Sequence, residues 1–537
     1  MNTEKIMSSK INEIVILGGG SAGWMSAATL IKFYPNKKIT VIESPNVPIV
    51  GVGESTLGSI RNWMHSLDID EQDFMKHTNA SYKMSIKFTD FYDKDYGSFH
   101  YPFGRPVLEE NSWELNDWQA KKAVYPDTPV EDYCRTYFSA MPLIENNKFN
   151  RNDDGRLDAF RSDLHVAYHF DATLFGQWLR ENYCKPKGVI HLANTVVDIQ
   201  TDDDGISKLV LDNSEEITAD LFVDCTGWQT LLLSGALKEP FMNYNHILPN
   251  NKAWAVQLPY KDKEKEIEPY THCTAIGHGW VWNIPLWSRL GTGYVYSDKY
   301  ITDEAALEEY KKHLTSSKMT IPRTREEVDS LKFKNISMRI GIHERTFVKN
   351  VVAIGLSAGF IEPLESTGLF TVHEFLNMLI TVLDKGAITQ WDRDIYNKST
   401  LEMFNNLAEF VAMHYAMSIR NDTNYWRAIS KKTFSPEMVR QDPTIRKGFA
   451  MLANKKMFNE PYDSQGGMHC VGTGMNHFTF SRLSLNYFKT VLQYNIKNHV
   501  DDFVHRRKKL QDKWQMVANE SPTLHQYLKD NIYYGTN

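Results

Sequence analysis

Hydrophobic patterning divides the chain into a β/α start, a strand-rich middle and a long helical end. Ile14-Val15-Ile16-Leu17 is a β-branched apolar run of the length expected for a buried parallel strand. It stops at Gly18-Gly19-Gly20-Ser21-Ala22-Gly23, and residues 24–30 continue as a good helix former. A second strand, Lys38–Ile42, ends on Glu43. Residues 57–90 read as largely helical, closing on the stretch 81–88, and residues 91–150 carry aromatics, Pro and Asn without a period and read as irregular. A helix over 169–185 leads to strands at 189–192 and 195–199, then to the turn signal Asp202-Asp203-Asp204-Gly205 and hairpin strands at 208–211 and 216–218. Residues 220–227 form an apolar strand ending in acid and glycine, which returns the chain to the first sheet. That order is typical of FAD-binding rather than NAD-binding proteins. Further strands are expected in 250–335 and 350–355, and residues from Gly368 onward read as mostly helical.

The predicted fold class is α/β, α+β overall. It comprises a Rossmann-like FAD-binding domain of the flavin monooxygenase type, a β-rich second module and a mostly helical C-terminal region. The FAD module is expected within 1–375 in discontinuous pieces, about 11–60, 155–235 and 340–375, with substrate-side insertions 61–154 and 236–339. Residues 376–537 are expected to form a helical substrate-binding region. The length of 537 residues suits two or three cores. A formal net charge of −6 without a Lys/Arg run argues against nucleic acid or an anionic membrane as partner. No apolar run approaches the roughly 18 residues of a spanning helix. The five cysteines, Cys134, Cys184, Cys225, Cys273 and Cys470, never form a CxxC pair. They read as reduced thiols in a cytoplasmic protein, with no metal site.

Gly18, Gly20 and Gly23 stand at the three fingerprint spacings of a dinucleotide fold. They serve, in order, a tight turn, close approach to a pyrophosphate, and helix-on-strand packing. The helix start at Ser21 and Ala22 offers N–H groups and a positive dipole end to that phosphate. Glu43 stands where a ribose hydroxyl would be accepted. The glycine-rich stretch 50–56, with Gly53 and Glu54, is expected as a loop lining the cofactor cleft. Three further constellations carry chemistry. In Gly279-Trp280-Val281-Trp282-Asn283-Ile284-Pro285, alternation puts Trp280, Trp282 and Ile284 on one strand face, which by itself is more often core. In Ile361-Glu362-Pro363-Leu364-Glu365-Ser366-Thr367-Gly368, loop N–H groups before a helix offer an anion site, with N-capping by Ser366 or Thr367 as the alternative. Lys83, among Tyr82, Met84 and Ile86, reads by position alone as a snorkelling lysine.

These motifs occur in an order that resembles the FAD-dependent halogenases of the tryptophan-halogenase family. The likeness rests on Gly18 to Gly23, Gly51-Val52-Gly53-Glu54, Lys83 before Ile86-Lys87-Phe88, Trp280 to Pro285, and Glu362 to Gly368. His414-Tyr415, Asp422-Thr423 and Trp426 extend it, and in length and style the chain resembles a cyanophage member. The resemblance implies FAD, bound by the residues above with Val197, Asp224, Gly227, Gly355 and Leu356, and used as FADH2 from a separate flavin reductase. It implies O2 and a halide ion, chloride, bromide or iodide, held at the backbone of Thr367 and Gly368. A flavin C4a-hydroperoxide would oxidise the halide to hypohalous acid, which Lys83 receives behind a barrier formed by Trp280, Trp282, Ile284 and Pro285. Glu365 would orient the oxidant and take the arene proton. Phe99, His100, Tyr101, Phe103 and Pro363 would line the pocket of a small aromatic substrate, and homo-oligomerisation stays open.

The departure lies at the substrate end. Tryptophan-specific members carry an aromatic stretch near the C-terminus, where this chain has Gly466-Gly467-Met468-His469-Cys470-Val471-Gly472-Thr473-Gly474-Met475. That argues against free tryptophan as substrate. The order Phe99-His100-Tyr101-Pro102-Phe103 also differs from the family's aromatic–His pattern. The alternatives are a flavin-dependent aromatic hydroxylase and a non-catalytic flavin-binding protein.

Overall fold

The computed structural model describes residues 11–47, 53–109, 115–431, 466–476 and 495–535. Val50, Gly51 and Val52 of the expected cofactor loop lie outside them, while Gly53–Ser55 is a short strand rather than loop. The chain divides into two compact units. One comprises Met1–Ala80, Phe170–Lys252 and Ile336–Glu409, the other Ser81–His169, Ala253–Asn335 and Phe410–Asn537.

The first unit is built on a six-stranded sheet in the order Phe347–Val348, Val351–Ala353, Leu221–Asp224, Glu13–Leu17, Lys38–Ile42, Ile190–Leu192. Glu13–Leu17 pairs parallel with neighbours on both sides, Ile16 facing Val223 and Val41. Its apolar residues are buried on both faces, which is why the run reads as continuous rather than alternating. Helix Ser21–Phe33 follows directly and packs against helix Gly368–Leu383. The hairpin Val196–Asp202 and Gly205–Leu211 turns at the predicted acidic site, where the Asp202 carboxylate accepts from the Asp204 and Gly205 N–H groups. Fold class and the Rossmann-like cofactor module agree with the reading of the sequence.

The second unit is built on a seven-stranded sheet. Its order is Lys334–Ser337, Lys252–Leu258, Leu290–Tyr296, Gly279–Pro285, Tyr270–Ile276, Ser85–Thr89, Ser98–Pro102. Helix Asp303–Leu314 covers one face through Ala306, Tyr310 and Leu314 on Val281, Tyr294 and Tyr296. The helical reading of 57–90 needs correction. Ile60–Ser66 and Glu71–Thr78 are helices, but Asn79 turns left-handed at φ 53 and the chain continues as strands Ser81–Lys83 and Ser85–Thr89. The stretch 91–150 is also less irregular than expected, with strand Ser98–Pro102 and short helices from Leu115–Val124 to Met141–Glu145. Among the described residues no helix is long and apolar enough to cross a membrane.

Three fully buried histidines in this unit link its stability to pH. His100 lies 3.0 Å from the Ser85 hydroxyl, His169 2.9 Å from Thr271 and His272 2.8 Å from Thr89. Burial holds all three imidazoles well below their ordinary range, with nearby Lys87 adding to the effect on His100 and His272, and Lys83 on His169. They stay neutral in the fold and take up protons on unfolding, so stability should fall as pH drops below the unfolded value of about 6.5. Each histidine can contribute up to about 1.4 kcal/mol per pH unit below that point. Thermal denaturation from pH 8 to 5 should show the midpoint falling progressively below about pH 6.5. A flat or rising midpoint contradicts this.

Candidate active site

Of the expected cofactor residues, Gly18, Glu43, Asp224 and Gly355 stand at or just beyond the C-terminal ends of adjacent parallel strands, where doubly wound sheets bind ligands. Gly18 has φ 113, and a Cβ there would lie 2.2 Å from the Cys225 carbonyl oxygen. A Cβ on Gly23 would lie 1.8 Å from the Gly18 carbonyl oxygen, so helix and strand approach as only glycine allows. At Gly20, by contrast, a Cβ would meet nothing within 4 Å. The middle glycine therefore faces open space, where a pyrophosphate needs it. Gly20 is also the N-cap of Ser21–Phe33 and no side chain caps that helix, so its first N–H groups keep their pull on an anion. These residues fit FAD.

Glu43 is not a lone acceptor. Its carboxylate lies 3.1 Å from His191 Nε2 and 3.3 Å from Arg180 Nη1, neither of which the sequence singled out. Gly227 and Gly355 are joined through Ser357, whose hydroxyl donates to the Gly227 carbonyl at 3.3 Å, and Leu356 sits in the same turn. Asp224 differs from expectation. Its two oxygens accept from the Thr226 N–H and hydroxyl and from the Leu232 and Leu233 N–H groups, so it shapes the loop rather than presenting an acceptor. Val197 is 63% exposed on the outer hairpin, beside Thr195, whose hydroxyl lies 2.8 Å from that of Ser44.

In the same unit, Pro363–Glu365 forms one tight turn and Ser366 takes φ 58, a costly conformation for a residue with a side chain. Helix Gly368–Leu383 starts there, with Thr367 as N-cap. The Thr367 side chain makes no capping bond, and the Ser366 hydroxyl lies 3.0 Å from that of Ser55. Simple N-capping does not account for these residues. A Cβ on Gly368 would lie 3.1 Å from Glu54 Oε1, so a carboxylate also stands at the helix start. Glu365 is 1% exposed and Pro363 is half-buried. Glu362, which the sequence reading quoted without a role, is buried and accepts from Asn250 Nδ2 at 2.8 Å.

The second unit holds Lys83 and the tryptophans. Lys83 is fully buried with Nζ 5.0 Å from the centroid of the Phe103 ring. Its neighbour Met84 is clamped from both sides, donating to the Pro269 carbonyl and accepting from the Phe103 N–H. Trp280 and Trp282 share a face, their rings 6.2 Å apart at 60°. The Trp282 ring lies over Gly293, where a Cβ would come within 2.2 Å of it. Ile284 and Pro285 complete the buried strand. Phe99 and Tyr101 lie on one side of their strand, and Tyr101 meets Phe103 edge-on at 5.8 Å.

His100 corrects an expectation, because alternation sends it to the opposite face, where its ring meets Tyr270 edge-on at 5.1 Å. It does not share a wall with Tyr101 and Phe103. Helix Gly466–Gly474 seats on that wall. A Cβ on Gly474 would lie 2.1 Å from the Phe99 ring, and one on Gly467 2.9 Å from Tyr101. Farther along, Thr423 and Trp426 hydrogen-bond the Gly277 and Ile276 carbonyls, and His414 packs on Phe88 at 4.7 Å. Lys83 and Glu365 fall in different units.

A family model described as tryptophan halogenase matches residues 13–474. The tryptophan 6-halogenase SttH of Streptomyces toxytricini is 35% identical over 437 residues, 78% of this chain and 80% of that protein. The tryptophan 7-halogenase RebH of Lentzea aerocolonigenes is 32% identical over 462 residues, 83% of this chain and 84% of that protein. Among solved structures, the VirX1 apo structure superposes with a TM-score of 0.89 at 35% identity, covering 98% of this chain and 100% of that one. With a match that runs through both the glycine fingerprint and the tryptophan strand, the chain belongs to the tryptophan halogenase family and is a flavin-dependent halogenase.

Proposed function

We infer that this enzyme uses FADH2 from a separate flavin reductase, O2 and a halide to halogenate an electron-rich aromatic substrate other than free tryptophan. The observation that carries the reading is the fully buried Lys83 against Phe103, on a unit that also holds the paired rings of Trp280 and Trp282. A buried amine with an aromatic neighbour suits capture of an electrophile better than salt-bridging at a surface. Bound reduced FAD with O2 supplies the two-electron oxidant that turns halide into hypohalous acid. The uncapped N–H groups at Thr367 and Gly368 hold the halide. Trp280 and Trp282 keep the arene away from the flavin, Lys83 receives the oxidant, and Glu365 takes the proton released by the arene.

The C-terminal helix supports this substrate class. SttH and RebH are named for tryptophan. Here Gly467 and Gly474 bring the helix backbone onto Tyr101 and Phe99, in the stretch where the family resemblance implies aromatic side chains for tryptophan-specific members. Helix Gly466–Gly474 itself carries no Phe, Tyr or Trp to grip an amino-acid backbone. A panel of electron-rich arenes with L-tryptophan as comparator, assayed with FAD, a flavin reductase, NADH and each halide, tests the reading. Halogenated arene with little or no halogenated tryptophan is expected; tryptophan as the best substrate overturns the substrate class.

Replacing Trp280 or Trp282 by alanine should lower halogenation and let hydroxylated arene appear, because each removes a ring that is 0% or 7% exposed respectively. Both variants halogenating at the wild-type rate, with normal FAD binding, means that the rings are only core.

A further inference from the structure

The strand that carries Lys83 enters a buried knot of hydrogen bonds through Ser81. Strand Ser81–Lys83 pairs antiparallel with Ala167–Asp171, Ser81 opposite His169 and Lys83 opposite Ala167. Period-two alternation puts Ser81, Lys83 and His169 on one face. The Ser81 hydroxyl donates to the carbonyl of Pro285, the last residue of the tryptophan strand, and lies 3.4 Å from His169 Nδ1. His169 Nε2 lies 2.9 Å from the Thr271 hydroxyl. One tautomer satisfies every contact, with Nδ1–H donating to the Ser81 oxygen, whose own proton goes to Pro285, and Nε2 accepting from the Thr271 hydroxyl. Ser81, His169 and Thr271 are all buried. The neutral imidazole is enforced by burial and by the neighbouring Lys83.

The geometry points to His169, with Ser81, as the positioning residue that ties the lysine strand to the end of Trp-x-Trp-x-Ile-Pro, so that oxidant passing the tryptophans meets the amine. This rests on the reading of Lys83 as the acceptor. His169 touches no substrate; it acts through where it holds Lys83. Loosening the knot should leave hypohalous acid formation intact and change its fate. A misplacement of an ångström is enough to matter, since such errors cost about a hundredfold in positioned reactions.

The test measures two products per FADH2 consumed, halogenated arene and free hypohalite caught by a soluble trap. His169→Phe keeps the ring volume and removes both hydrogen bonds. It should oxidise FADH2 at the wild-type rate while arene product falls by about tenfold to a hundredfold and trapped hypohalite rises to match. His169→Asn places an amide N–H where Nδ1–H stood and should restore most of the product, a rescue that a merely space-filling residue would not show. Should His169→Phe not fold, Ser81→Ala carries the same decision through the same product split. Lys83→Met is run alongside. Wild-type partition in His169→Phe or Ser81→Ala beside an inactive Lys83→Met overturns the knot and leaves the lysine reading standing. A Lys83→Met enzyme that halogenates normally overturns both.

Discussion

Lys83→Met should reduce arene halogenation to the detection limit, a loss of more than about three decades, while FADH2 oxidation and hypohalite formation continue. Methionine keeps the unbranched volume and suits a buried site. The change therefore isolates the amine from the packing of a side chain that is 0% exposed. The amine can hold hypohalous acid by hydrogen bond. It can also exchange an N–H for an N–halogen bond, releasing water, with no net change in oxidation state. Either way the oxidant stays beside Phe103 instead of diffusing out. Product per FADH2, measured with a hypohalite trap present, separates this from a general loss of activity. Wild-type product from Lys83→Met makes the lysine structural.

Glu365→Gln should slow halogenation by about 2–4 decades, the usual scale for a positioned general base, while leaving FAD affinity unchanged. Glu365 is 1% exposed in the turn that starts helix Gly368–Leu383, a place where a fixed carboxylate can be aimed. Glutamine keeps its shape and most of its hydrogen bonding but cannot take a proton. The effect should appear in kcat more than in KM, because the proton leaves only after the halogen is on the ring. Equal rates for Glu365→Gln and wild type in single-turnover halogenation assign the base elsewhere. Glu362, buried three residues earlier with Asn250 on one oxygen, is the next carboxylate to test.

The cofactor module was legible because its demands are local. The φ of 113 at Gly18 and the contact of Gly23 with the Gly18 carbonyl are imposed by six consecutive residues, and their spacing carries the signal. The tryptophan strand was legible for the same reason, since alternation alone puts Trp280 and Trp282 on one face. Lys83's strand was misread although Tyr82, Met84, Ile86 and Phe88 alternate with polar residues. Helices do precede it, and the break rests on a single residue, Asn79. Both faces of the strand are covered, so Lys83 and Ser85 are as buried as their apolar neighbours and burial does not follow polarity. His100 went astray by parity, one position from two residues that do line the aromatic wall. The Ser81–Pro285 and Ser81–His169 contacts span 204 and 88 residues of chain, and no local pattern encodes them.

Halide, not oxygen, should end up on the arene. The most direct measurement is the mass of the product formed with FAD, a flavin reductase, NADH and O2, in bromide and in halide-free buffer. A monobrominated product with the paired isotope signature is expected in bromide, and no turnover of the arene when halide is withheld. A product heavier by one oxygen in halide-free buffer, formed as fast as the brominated one, would contradict it.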